Sequence, residues 1–319
     1  VLFLLARRSL SLPGEQLSVV FTLLALALLA FTGPDLAAQW TRLFGSDAVV
    51  GVSAAIRWAG TTALLAMFAA KASNSTLRFA SLAVAGALTY GTLAQVVPGW
   101  SLPIAMGAVA MTIFAIARRR VSYPIELLSL IFAQLAILLL AGTGPHLIEQ
   151  WTRLYGSDAA VGVTELLRWA GLALVGLAYA LWSNTPTIRR AGQVAAALLT
   201  YGALAQVVPG AYLMLVPAIG GAAALFAARR IDLARVDAGA ASFAALSLAW
   251  AALPVGTWAL GALMTIAGQP MALGNPILAA DQLLLRLLIP AALFAAPLWL
   301  IRDRLPRWLL LAGLAIAGV

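Results

Sequence analysis

The 319-residue chain contains no cysteine and a single histidine, His146. Without thiols there are no disulfides, thiolate metal sites or cysteine nucleophiles, and one imidazole cannot build a His-based zinc site or ligate a haem from both sides. Charge is scarce too, at 10% of residues against 63% apolar. With a mean hydropathy of +0.98, the chain lacks the polar surface that a water-soluble domain of this length must present. No GxxxxGK[ST], HExxH or Ser/His/Asp set occurs, so phosphate-loop, zinc-protease and triad chemistries have no motif to rest on. No cofactor and no metal are expected.

What is present is a series of long, uninterrupted apolar runs, which predicts an all-α, polytopic transmembrane helix bundle and argues against an outer-membrane barrel. Residues 7–119 recur as 118–230 at a fixed offset of 111 without one insertion, from Arg7/Arg118 to Arg119/Arg230. Each repeat holds four apolar stretches near the ~20 residues that a crossing needs. They lie at 17–33, 47–71, 77–98 and 100–118, then at 128–144, 158–182, 188–209 and 211–228. A divergent third unit adds 240–267, 278–300 and 307–319, where Leu284-Leu285-Arg286 echoes Leu166-Leu167-Arg168. The expected organisation is about 11 transmembrane helices in tandem parallel four-helix repeats of 111 residues. Residues 1–6 read as the stub of a preceding helix, 7–117 and 118–228 as repeats one and two, and 229–319 as a truncated third, so the chain reads as an internal or C-terminal piece of a longer protein. An even number of crossings keeps successive repeats in the same orientation, unlike the inverted repeats of many transporters.

The net charge of +9 would suggest nucleic acid in a soluble protein, but here the basic residues sit between the apolar runs. Alternating crossings put Arg7, Arg8, Lys71, Arg78, Arg118 to Arg120, Arg189, Arg190, Arg229, Arg230, Arg235, Arg302, Arg304 and Arg307 on one side. By the positive-inside rule that side is the cytoplasm. Abundant Ala and Arg suit a high-GC bacterium, hence a multi-pass protein of the inner (plasma) membrane with the Gln-Trp-Thr-Arg loops outside. The expected partners are membrane lipids and further transmembrane segments, of the same parent protein or of others; nucleic acid is not among them. Five basic residues remain unexplained as topology signals: Arg42, Arg57, Arg153, Arg168 and Arg286.

Matches between the two copies gather at the outer side. Gly33-Pro34, Gln39 to Leu43, Gly45 to Ala48, Arg57 to Gly60, Thr89 to Gly91 and Leu93 to Gly99 all recur, whereas Thr61 to Ser75 keeps only Ala69. Pro34 can open a short amphipathic helix with Trp40 (Trp151 in the second copy) as an interfacial anchor. Gly45 ends it, Ser46 (Ser157) is placed to cap the next helix, and Asp47 (Asp158) to favour that helix's positive terminus. Arg57 and Arg168 lie ten residues further, about 15 Å deep at 1.5 Å per residue, where a charge costs roughly 2.5 to 3.5 kcal/mol. Tyr90 and Tyr201 fall at similar depth on the neighbouring antiparallel helix, so an Arg/Tyr contact is expected in each repeat, with Gln95 and Gln206 above it. Glu165 stands at i, i+3 from Arg168, while its counterpart is Ala54. Arg57, Arg168 and Arg286, with these tyrosines and glutamines, form the candidate site for an anionic lipid or other anion, since a guanidinium grips phosphate or carboxylate with two bonds.

Through Trp169-Ala170-Gly171, Ala267-Gly268-Gln269-Pro270 and Leu284-Leu285-Arg286-Leu287-Leu288-Ile289-Pro290, the chain resembles a family of very large, multi-spanning bacterial membrane proteins of unknown function. The resemblance implies a many-helix membrane protein and brings no catalytic residues. Three functions compete: a non-catalytic scaffold that organises envelope components; a carrier or binder of an anionic lipid or small molecule; and an enzyme acting on a lipid-linked substrate with an outer carboxylate, for which Glu149 or Glu165 is the candidate.

Overall fold

A computed structural model describes residues 12–72, 75–120, 123–230, 232–268 and 284–300. The stub at 1–6, the crossing at 307–319 and the residues Arg7, Arg8, Arg302, Arg304 and Arg307 lie outside the described residues, as does Gln269-Pro270. Everything described is helix, turn or loop, with no strand among the described residues. The Ala- and Leu-rich runs explain this, for they cost little side-chain entropy in a helix and each helix satisfies its own backbone.

The helices are α1 (Leu12–Phe31), α2 (Leu36–Leu43), α3 (Val52–Lys71), α4 (Ser75–Val96), α5 (Leu102–Arg120), α6 (Tyr123–Gly142), α7 (Leu147–Arg153), α8 (Val163–Trp182), α9 (Pro186–Ala205), α10 (Gly210–Leu213), α11 (Leu215–Ala227), α12 (Asp237–Ile266) and α13 (Ile289–Leu300). Among the described residues six spans are long and apolar enough to cross a membrane: Val52–Ala70, Thr76–Val96, Gly99–Arg119, Ile125–Gly142, Val163–Trp182 and Gly210–Ala227. The helix α9 occupies the expected span at 188–209 but is not among the six; Arg189, Arg190 and Gln193 dilute its N-terminal turns. Leu64, Leu174 and Leu177 are exposed on the helix flanks, as apolar side chains facing hydrocarbon would be.

The chain divides into two compact units, residues 1–145 and 146–319. In the first, α3 pairs with α4 and α5 with α6. A core of Leu29, Trp58, Leu65, Ala85 and Leu88 ties α1 to the α3/α4 pair. At the end of α1 the chain turns by 97° into α2. Gly33 and Asp35, both at positive φ, make that turn.

In the second unit α8 and α9 form the most extensive pair, and α12 lies on α9 and α11. Gly176 and Gly192 let α8 and α9 approach backbone to backbone: a Cβ on either would stand 2.7 Å from a main-chain nitrogen of the other helix. Small residues at such crossings replace the hydrophobic drive that lipid removes. Replacing Gly176 by Val is therefore expected to cost about 1–3 kcal/mol by overpacking. Thermal unfolding in detergent, followed by size-exclusion, measures it; an unshifted transition would mean the helices are not in backbone contact.

Candidate functional site

Each unit contains the same bonded cluster around a short helix that lies across the ends of longer ones. In the first unit that helix is α2. Its polar residues Gln39 and Arg42, one turn apart, are buried, whereas Trp40 and Phe44 are exposed. The amphipathic helix expected from the sequence is thus present with its polar face against the protein.

Arg42 is the centre. Its Nε donates to the carbonyl of Ala94 at 2.6 Å, one terminal nitrogen to Ala48 at 2.8 Å and the other to Val97 at 3.0 Å. Ala94 and Val97 close α4 before Pro98, which has no N–H to offer, so their carbonyls would otherwise lack helical partners. Three main-chain acceptors on two segments are thereby held by one planar donor. Around it, Gln39 accepts from the Trp58 indole at 3.1 Å and donates to Pro34 at 2.6 Å. Gln95 donates to the carbonyl of Gln39 at 3.2 Å, and the Tyr90 hydroxyl donates to that of Leu43.

The second unit repeats these bonds 111 residues on. Arg153 donates to Ala205 at 2.8 Å, Ala159 at 3.2 Å and Val208 at 3.0 Å. Trp169 donates to Gln150 at 3.3 Å, Gln206 to the carbonyl of Gln150 at 3.5 Å, and Tyr201 to Leu154 at 2.6 Å. A further link joins this cluster to α12, because the Trp250 indole donates to the Tyr201 hydroxyl at 3.0 Å.

Asp47 and Asp158 have a role the sequence placed elsewhere. The helices that follow them start only at Val52 and Val163, with Gly51 and Gly162 at the N-caps, so residues 47–51 form a loop and neither aspartate sits at those termini. Asp47 accepts instead from Gly99 N at 2.7 Å, and Asp158 from Gly210 N at 2.7 Å. Both stand at the first turn after a proline, where a free N–H and a positive helix end await an anion. The glycines are required there: a Cβ on Gly99 would lie 1.9 Å from the carbonyl oxygen of Gly45, and one on Gly210 equally close to that of Gly156. The expected helix caps Ser46 and Ser157 do not cap, and their shielded hydroxyls have no partner among the described residues.

The deep arginines separate. Arg57 does not meet Tyr90. It turns back to the end of α1, donating to the carbonyls of Leu28 at 3.1 Å and Thr32 at 2.5 Å; Leu28 already accepts from Thr32 N at 3.0 Å, whereas the Thr32 carbonyl lies past the last turn of α1. The expectation failed because it matched depths on α3 and α4 and ignored the acceptors freed where α1 breaks. Arg168 is fully buried, as is Glu165 one turn before it, whose Oε2 accepts from Thr164 at 2.8 Å. Arg286 lies on a π-helical turn, Leu284–Leu288, over the Trp250 ring at 5.9 Å. Trp40 donates to the carbonyl of Ala30 at 3.1 Å; Trp151 meets Trp169 edge-on at 6.4 Å. No three His, Asp or Glu side chains converge among the described residues.

Sequence reasoning missed Arg42 and Arg153 as the centres, although Gln39 and Arg42 recur at one-turn spacing together with Ala94 and Val97. Arg42→Gln strips donors from three carbonyls and is expected to destabilise the protein by at least about 3 kcal/mol, whereas Trp40→Phe, losing one exposed bond, costs about 1 kcal/mol. Denaturant titration in detergent ranks the two; a reversed order would remove Arg42 from the centre. Searches of protein families, of characterised proteins and of solved structures find none that matches this chain.

Proposed function

We propose that the chain is a non-catalytic scaffold of a bacterial inner membrane, built of tandem four-helix repeats with about 11 crossings, whose clustered loops face outward and whose basic loops face the cytoplasm. One observation carries this reading: in both copies the charged side chains of the kept loop, its arginine and its aspartate, are spent on the chain's own backbone. Arg42 and Arg153 each hold three carbonyls, and Asp47 and Asp158 each hold a helix start. A catalytic or transport site needs groups left over for its substrate; these clusters use theirs to fix helix ends. The exposed apolar flanks then offer lateral surfaces to lipid and to neighbouring transmembrane segments, the partners proposed.

Native mass spectrometry on the detergent-purified protein tests it, comparing wild type with an Arg57→Gln, Arg168→Gln double variant. A scaffold is expected to keep the same bound lipids while its unfolding transition falls. Loss of a defined anionic ligand at unchanged stability would move the carrier reading ahead.

The proposed sidedness has its own check, since a chain free of cysteine accepts single cysteines cleanly. Phe44→Cys is expected to react with a membrane-impermeant maleimide added to intact cells, and Asn184→Cys only after lysis. The opposite pattern would invert the topology.

A further inference from the structure

Arg286, like Arg189, has a shielded Nε, and it is set apart by the tryptophan ring beneath its guanidinium. Its Nε is shielded yet has no hydrogen-bond partner among the described residues. One face of its guanidinium is occupied by Trp250, whose indole is in turn fixed by Tyr201. A guanidinium held over a ring face keeps N–H donors for other partners, so the ring positions the cation without neutralising it. The residue sits on the one π-helical turn among the described residues, a distortion that costs hydrogen-bond geometry and is frequent where a side chain has to be aimed.

One turn beyond Arg286, a groove of about 380 Å³ opens between α11 and α13. Ile289, Leu293, Pro297 and Leu300 line one wall and Ala222 and Phe226 the other. Among the described residues no charged side chain lines it, and from Ile289 to Leu300 it runs about 17 Å at 1.5 Å per residue. Arg286 does not line the slot but stands three residues before Ile289, its first lining residue on that wall, a spacing that suits an anionic amphiphile: phosphate on the arginine, an acyl chain down the slot. In hydrocarbon an arginine without a counter-charge is costly, and a lipid phosphate removes that cost.

We propose that Arg286, held by Trp250, binds the phosphate of an anionic phospholipid whose acyl chain occupies the α11/α13 groove. This goes beyond the scaffold reading and does not depend on it, for none of the kept loop residues except Tyr201 takes part. Native mass spectrometry of the full chain with phosphatidylglycerol and, separately, phosphatidylcholine tests it. Wild type is expected to retain phosphatidylglycerol in preference, and Arg286→Gln to lose about tenfold in affinity, the effect of one charge-assisted pair. Ala292→Trp, which fills the groove and leaves the charge, is expected to lose as much. Should Arg286→Gln fail to fold, Arg286→Lys, which keeps the charge but not the bidentate edge, and Ala292→Trp decide. Equal retention by wild type and Arg286→Gln overturns the site. Retention by Ala292→Trp, or displacement by inorganic phosphate alone, would leave a soluble-anion site and overturn the lipid in the groove.

Discussion

A backbone carbonyl freed where a helix breaks has to find a donor, and away from water the chain alone can supply it. The rest of the structure follows from that constraint. The connections at α1/α2/α3 and α4/α5, and again at α7/α8 and α9/α10, are breaks that ordinary turns would leave with orphan groups. The chain answers with long side chains that carry several donors, placed so that one residue serves several orphans. Arginine is suited to this because its five N–H groups lie in one plane and never lose their charge. Arg42 serves Ala48 as well as Ala94 and Val97, thereby joining a loop to a helix end 52 residues away in sequence.

Proline explains why the breaks fall where they do. Pro98 and Pro209 end α4 and α9 by offering no N–H, and the next residue must be glycine because another main chain passes against it. That glycine's N–H is then free, and the preceding aspartate loop delivers a carboxylate to it. Proline, glycine, aspartate and arginine thus form one unit: losing the arginine frees carbonyls, losing the aspartate frees an N–H, and adding a side chain at the glycine pushes the two segments apart. The buried polar face of α2 follows as well. Gln39 and Arg42 point inward to reach these groups, which leaves Trp40 and Phe44 outside, an arrangement that suits an apolar surround better than water.

Much of the fold was legible. The apolar runs located helices α3 to α6, α8, α9 and α12, because length and hydropathy govern those elements. Offset matching singled out the loop residues that bond, since Gln39, Arg42, Asp47, Tyr90, Gln95 and their partners all recur. What each does was less legible. Ser46 and Asp47 fit a local cap by spacing, yet the segment from 47 to 51 is a loop and Asp47 acts 52 residues away, a distance that no local rule reaches. Depth counting paired Arg57 with Tyr90 on the premise that helices run straight. The 97° turn after α1 brings carbonyls close to Arg57, and hydrogen-bond demand decided its orientation.

Where the two copies differ, the differences have work to do in packing. The second copy has Gln193 where the first has Leu82. Gln193 is buried, donates to the carbonyl of Ala234 at 3.1 Å and accepts from the N–H groups of Ala238 and Gly239 at 2.9 and 3.2 Å. Those N–H groups begin α12, where the helix offers them no main-chain acceptor; Ala238 N also donates to the Asp237 carboxylate at 2.8 Å. Nearby, Arg190 lies 3.5 Å from Asp237 in the same first turn. A leucine could bury area here but could not satisfy a helix start, so this substitution attaches α12 to α9. At the other end of the same helix pair, Tyr201 reaches Trp250, joining α12 to the loop cluster as well. The kept residues therefore build a unit that closes its own loops, and the altered ones let the next helix dock. Thr61 to Ser75 keeps little because much of its surface, including Leu64 and Met67, is exposed and apolar, where any apolar residue of similar size serves.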